Sequence, residues 1–123
     1  MVGALTWFGV ACFGALGAVA RFRLDSAVSA RVPGDFPLGT LVVNLSGSFA
    51  LGMLVGASVT HRVALLLGTG FTGGYTTFST WMVESERLGE VGEVGSLVRN
   101  LWLSMLAGVG IAAAGFYVGQ AIA

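Results

Sequence analysis

The sequence predicts an all-α membrane protein of four transmembrane helices, the third broken, working as a dimer. Three observations carry this prediction. The 123 residues are 55% hydrophobic and only 10% charged, a membrane composition. The apolar residues fall into long blocks rather than the alternating or amphipathic patterns of a soluble core. One of those blocks contains a dense run of glycines and hydroxyls.

The first block runs from Leu5 to Ala20 and closes on Arg21 and Arg23, predicting a helix over about 5–24. Ala18-Val19-Ala20 resembles a cleavage site, but no positively charged stretch precedes the apolar run, so a retained helix is expected. Cys12 stands alone within it, which excludes an intrachain disulfide and a cysteine-based metal cluster.

The second block, Leu38 to Val59, follows the turn sequence Pro33-Gly34-Asp35-Phe36-Pro37 and predicts a helix over 38–59. Ser48, Gly52 and Gly56 recur every four residues along it, as Gly115 and Gly119 do in the fourth block. Small-residue faces of this kind let backbones approach closely in lipid. His61, beside Arg62, reads as a solvated turn residue.

The third block, Val63 to Met82, contains Gly70-Phe71-Thr72-Gly73-Gly74-Tyr75-Thr76-Thr77-Phe78-Ser79-Thr80-Trp81. It predicts a span over 63–83 broken near 72–77. Non-helical backbone survives at membrane depth only where protein buries it or where it lines a polar cavity, and broken helices are where membrane proteins place ion sites. The Glu-rich stretch from Glu84 to Glu93 reads as a solvated connection and the longest loop. The fourth block, Leu97 to Ala121, predicts the last span. Each block is near the ~20 apolar residues that cross ~30 Å of hydrocarbon, and residues 1–123 read as one transmembrane domain.

Polar groups inside these spans are the guide to function. Asn44 lies within the second helix, where its amide can donate two hydrogen bonds and accept others; pore lining and a structural tie between helices are equally open to it. Ser104 in the fourth helix has the ordinary alternative of bonding the carbonyl four residues back. Phe78 and Trp81 share a face of the helix that resumes after the break, with core packing as their default role and a positive ring edge as the functional one. No Asp, Glu, Lys or Arg stands at the middle of a span, which argues against a proton-coupled carrier and for passive conduction. Hydroxyl and amide donors suit an anion. Four helices of this size do not enclose an aqueous path, so a pore at a subunit interface is expected.

Other classes fit poorly. No Ser/His, paired-carboxylate or metal-ligand constellation lies at membrane depth, which excludes an intramembrane enzyme. No charge run is long enough for nucleic-acid binding. A small multidrug exporter would carry an acidic residue in its first helix, and none stands between Met1 and Arg21. A noncatalytic scaffold leaves the hydroxyl-rich break without a purpose.

Three separated motifs coincide: Gly14-Ala15-Leu16-Gly17-Ala18-Val19-Ala20-Arg21, Pro37-Leu38-Gly39-Thr40-Leu41-Val42-Val43-Asn44, and Gly73-Gly74-Tyr75-Thr76-Thr77-Phe78-Ser79-Thr80. Together they resemble the CrcB/Fluc fluoride channels over essentially the whole chain. The resemblance implies an antiparallel, dual-topology dimer in the inner (plasma) membrane. It also implies two narrow fluoride pores, which let F⁻ leave passively and relieve fluoride toxicity, and a structural Na⁺ at the centre. By position, Gly73 and Thr76 match the backbone carbonyl donors to Na⁺. Asn44 matches the pore-lining amide, Phe78 the first aromatic whose ring edge faces fluoride, and Ser79 and Thr80 the hydroxyl pair between aromatics. Ser104 aligns with a hydroxyl of the fourth-helix polar track, and Arg21 with a vestibule arginine that attracts anions or anchors the helix end.

Two features depart from the family pattern. Trp81 stands where the pattern has a second Phe, and its indole could present a positive edge, donate to fluoride, or plug a pore. The second is orientation. With four spans, Arg23, Arg31, Arg87 and Arg99 fall on the side of the first and third connections, with Arg21 near the same end, while Arg62 falls on the other side. This bias places both termini outside the cytoplasm. The partner is therefore either an identical chain or an oppositely oriented homologue.

Overall fold

A computed structural model describes residues 3–32, 34, 36–77 and 79–123, without the side chains of Ser79 and Thr80. The described residues are helical, with no strand among them. Helix α1 spans Ala4–Arg31, about 42 Å at 1.5 Å per residue. It runs past the end expected near residue 24 because nothing breaks the pattern until Pro33. The residue before a proline is pushed out of the α region, and Val32 is extended at φ −120°, ψ 99°.

Helix α2 covers Leu38–Gly56. Ser58 then adopts a left-handed φ of 53°, ending the helix short of the predicted Val59. Thr60 opens the next helical stretch by accepting the Val63 N–H at 3.3 Å.

That stretch begins as α3 (His61–Val63), continues as a π-helical segment (Ala64–Thr72), and closes as α4 (Gly73–Tyr75). The wider winding shows in the hydrogen bonds: the Gly73 N–H reaches back to the Gly68 carbonyl, and Thr72 Oγ1 donates to the Leu67 carbonyl at 2.8 Å. At Thr76 the backbone turns extended, φ −79° and ψ 158°. Helix α5 (Ser79–Glu90) and helix α6 (Val94–Ile122) complete the chain.

The expected long connection over 84–93 is therefore corrected: α5 runs to Glu90 and only a short turn at 91–93 joins it to α6. The physical reason is a buried stripe. Ser85 and Leu88 are 2% and 3% exposed, three residues apart on the helix face that also carries Trp81. Four glutamates had masked that periodicity.

Helix α1 packs on the π-helical segment and α4, α2 packs on α6, and α5 lies against α6. Both of the larger contacts are backbone against backbone. A Cβ added to Gly52 would sit 2.1 Å from the Ala112 carbonyl oxygen, and one on Gly115 would sit 2.1 Å from that of Phe49. Gly56 and Gly119 repeat the arrangement against Phe116 and Met53. On the other pair, Gly17 meets the Phe71 carbonyl and Gly74 that of Gly14. Lipid supplies no hydrophobic drive between helices, so this close approach is what holds them.

Three helices, α1, α2 and α6, are long and apolar enough to cross a membrane. The chain is a multi-pass membrane protein.

The α2–α6 contact makes a specific prediction. Gly115→Ala should destabilise the folded chain by about 1–3 kcal/mol, the usual cost of forced overpacking. Gly110→Ala, on the same helix with nothing within 4 Å of its added Cβ, should be neutral. Unfolding of the two variants by heat in one detergent compares them directly.

Candidate functional site

Where the chain leaves the helix at Thr76, its next peptide needs partners. Asn44 provides both: its Nδ2 donates to the Thr77 carbonyl at 2.9 Å, and its Oδ1 accepts the Thr77 N–H at 2.9 Å. A side-chain amide thus pairs with a backbone amide 33 positions away, as an adjacent β-strand would. The helix-tying alternative for Asn44 is realised in this contact. The amide has a second N–H, and Asn44 also lines the cavity described below.

This pairing has a consequence for α4. In an uninterrupted α-helix the Thr77 N–H would bond the Gly73 carbonyl; here it is diverted to Asn44. Gly73 loses its α-helical donor, and the extended ψ of Thr76 turns that residue's carbonyl away from the helical course. Gly47 makes room for the turn, since a Cβ there would lie 2.3 Å from Thr76 Cγ2.

Two cavities flank Thr77. The larger, about 360 Å³, is lined by Asn44, Ser48, Thr72, Gly73, Thr76, Thr77, Trp81 and Ser104 with apolar neighbours. Among the described residues no charged side chain lines it. The smaller, about 220 Å³, is lined by Arg21, Phe22, Asp25, Thr40, Val43 and Thr77. Thr77 belongs to both, so the residue clamped by Asn44 stands between a largely apolar chamber carrying amide and hydroxyl groups and one that holds Arg21.

The hydroxyls of the larger cavity are held by nearby acceptors. Ser48 donates to the Asn44 carbonyl at 2.8 Å, Thr76 to that of Thr72 at 3.0 Å, and Ser104 to Asn100 Oδ1 at 3.5 Å. Ser104 thus bonds the side chain four residues back. Trp81 lines the cavity while its indole N–H donates to the Asn100 carbonyl at 3.3 Å. Phe78 lies outside the described residues, as do the side chains of Ser79 and Thr80.

Three polar contacts escaped sequence reasoning. Asn100, 1% exposed, donates from Nδ2 to Ser85 Oγ at 2.7 Å. Thr40, 2% exposed, donates to Glu84 Oε1. Ser46 and the Tyr75 hydroxyl share a bond of 2.8 Å. The detectable signal was the register of Trp81, Ser85 and Leu88. Among the described residues no cluster of three His, Cys, Asp or Glu side chains could hold a metal.

Comparison with known proteins decides the family. The sequence matches the family described as CrcB-like protein, Camphor Resistance (CrcB), over residues 8–116. The chain belongs to the CrcB family. Among its CrcB relatives, the fluoride-specific ion channel FluC 2 of Mycolicibacterium paratuberculosis is 50% identical over 117 residues, covering 95% of this chain and 93% of that protein. FluC 2 of Mycobacterium tuberculosis is 45% identical, covering 93% and 90%. The fluoride-specific ion channel FluC 1 of Carboxydothermus hydrogenoformans is 43% identical, covering 85% of each. This CrcB protein belongs to a family of channels and not of enzymes.

The Asn44 clamp is open to test in the CrcB chain. Asn44→Leu strands the N–H and the carbonyl of Thr77, each worth about 1–3 kcal/mol when buried without a partner. Asn44→Asp keeps an acceptor for the N–H but sets a part-buried carboxylate oxygen against the Thr77 carbonyl, a desolvation and repulsion cost that makes it no milder. Amide hydrogen exchange at Thr77, with thermal unfolding alongside, should put the wild type ahead of both variants.

Proposed function

We propose that this chain is a subunit of a fluoride-selective channel. The observation that carries the reading is the cavity beside Thr77, which gathers amide and hydroxyl groups and, among the described residues, no charged side chain. A small anion leaving water needs hydrogen-bond donors along its path. A carboxylate there would repel it, and a cationic side chain paired directly with it would slow its release. Neutral donors do neither, which allows entry and exit.

Helix α5 and the stretch 61–75 are read as two halves of one interrupted crossing. Their combined 27 residues, fifteen and twelve, reach about 40 Å as helix, enough for a bilayer core of ~30 Å. With α1, α2 and α6 they make four spans. The larger cavity carries Asn44, Ser48, Thr72, Thr76, Thr77 and Ser104 on one protomer, polar groups that are costly to leave facing hydrocarbon. A second copy in antiparallel orientation would cover it.

The carbonyls of Gly73 and Thr76 suit a hard cation such as Na⁺: both residues line the cavity, one has lost its α-helical donor and the other has turned extended. Gly73 and Thr76 of two chains would hold the ion from four oxygens. When bound, it supplies a fixed positive charge that favours anions nearby. In this reading Asn44, Ser104 and the Phe78–Trp81 segment, with Ser79 and Thr80, exchange water for protein donors around F⁻. Arg21, in the adjoining cavity, draws anions toward Thr77.

Passive conduction across the plasma membrane is sufficient for protection. HF enters, dissociates at cytoplasmic pH, and F⁻ is driven out by the membrane potential. A potential of 100 mV contributes about 2.3 kcal/mol per charge, roughly a fiftyfold concentration ratio.

A second reading of the partner has its own observation. Arg21, Arg23 and Arg31 lie on the C-terminal half of α1, Arg87 in the last turn of α5 and Arg99 in the first turns of α6, where it stacks 5.0 Å over the Phe36 ring. Arg62, on α3, is the exception. Such a bias fixes orientation and favours pairing with an oppositely inserted homologue over a dual-topology homodimer.

Liposomes holding this chain alone should release fluoride rapidly and chloride far more slowly, as followed by ion-selective electrodes. Fluoride release equal to that of protein-free vesicles, from folded protein, would refute the homodimer. Accessibility of single cysteines introduced at Ser29 and Arg62 then reads orientation: labelling of each from one side only is expected of a fixed topology, and labelling of both from both sides of a dual one.

A further inference from the structure

Asn100 does not line either cavity beside Thr77, yet it touches two residues that line the larger one. It is 1% exposed within a single chain, so its surroundings are complete without a partner subunit. Nδ2 donates to Ser85 Oγ at 2.7 Å; Ser85 Oγ donates to the Trp81 carbonyl at 2.8 Å; Trp81 Nε1 donates to the Asn100 carbonyl at 3.3 Å. The three residues close a ring that grips Trp81 by its backbone and its indole together. The Ser104 hydroxyl joins the ring at Asn100 Oδ1 at 3.5 Å.

The direction of every bond follows from proton counting. A serine has one hydroxyl proton. Ser85 gives its proton to the Trp81 carbonyl, so its oxygen must accept from Asn100, and the amide must present N–H to Ser85 and oxygen to Ser104. Ser104 then points its proton at Asn100 Oδ1 through the longest contact of the set. Only a side chain with a donor on one atom and an acceptor on the other satisfies both ends. Aspartate lacks the donor, and leucine lacks both.

We propose that Asn100 is a positioning residue for the anion path, fixing the Trp81 indole as a wall of the cavity and holding the Ser104 hydroxyl proton on a weak bond from which an anion can draw it. The proposal rests on the fluoride-channel reading above. It assigns the indole N–H to the helix contact rather than to fluoride, and makes residue 100 a determinant of selectivity without contact to the ion.

The test uses the full chain with Trp7→Phe and Trp102→Phe, so that Trp81 is the one indole observed. Asn100→Leu keeps the main-chain carbonyl that accepts the indole N–H but loses the tie to Ser85 that holds the Trp81 backbone against it, so the ¹⁵N indole resonance of Trp81 should move and its proton should exchange with solvent faster. The fluoride-to-chloride flux ratio in liposomes should fall about tenfold or more. Adding Trp81→Ala to Asn100→Leu should cost little more selectivity than Trp81→Ala alone, because both break the same wall. An unchanged indole resonance in Asn100→Leu, or selectivity losses that simply multiply in the double variant, would overturn the proposal. Ser85→Ala cuts the same ring with a smaller change and must reproduce the indole shift even where Asn100→Leu does not fold; an unshifted indole there counts against the ring. If the unsubstituted chain alone passes no fluoride, the homodimer fails and the flux comparison moves to the chain reconstituted with an oppositely inserted homologue, while the indole signal still decides whether Asn100 holds Trp81.

Discussion

A peptide group away from water must find hydrogen-bond partners, and the structure turns on how that need is met at Thr77. Hydrocarbon offers none, so a chain that stops being helical at Thr76 would strand the next N–H and carbonyl. Asn44 replaces the missing helix with a side chain that mimics a backbone amide. The arrangement requires α2 to approach closely, and Gly47 permits it by leaving the space that Thr76 fills. Once the Thr77 peptide is anchored in this way, the Gly73 carbonyl loses its α-helical donor and cavities open on both sides.

The anchor works because the helices that carry it are held rigidly. Carbonyl oxygens of one helix sit against glycine Cα positions of the next, between α2 and α6 and between α1 and the stretch that ends at α4. Packing of this sort gains dispersion contacts and weak Cα–H···O interactions where burial of apolar area would gain nothing. It also explains why the buried polar residues, Thr40, Thr72, Ser85 and Asn100, all carry hydrogen bonds to protein groups. No buried side-chain nitrogen or oxygen among the described residues is left without a partner. The polarity of the protein is thus spent in two ways: as fixed ties between helices, and as hydroxyls facing the cavity on bonds within the same helix.

On the proposed reading, that division bears on how the cavity would serve an anion. Hydroxyls that rest on nearby acceptors are satisfied when no ion is present and can turn toward one at small cost. The contact between Ser104 and Asn100 is the loosest of these. The indole at Trp81, a departure from the family's Phe, brings a donor that must be satisfied in apolar surroundings, and the Asn100 carbonyl accepts it. The larger ring is thereby tied to α6.

Much was determined by the sequence alone. Long apolar blocks require helices, because only helices satisfy their own backbone in lipid. A glycine and hydroxyl run inside one block marks where the helix stops, and three motifs identify the family. Asn44 stood out as an amide at membrane depth, although its two roles were not separable without knowing what lay opposite it. Tertiary structure decided that. It placed Thr77 against Asn44, glycine against carbonyl, and Asn100 between Trp81 and Ser104, all pairings between residues distant in the chain. It also turned the glutamate-rich connection into helix, since burial of Ser85 and Leu88 outweighed the polar composition around them. Hydrophobicity and local pattern are properties of a segment and can be read along the chain; a hydrogen-bond partner is a property of position in space, and it exists only once the helices have packed.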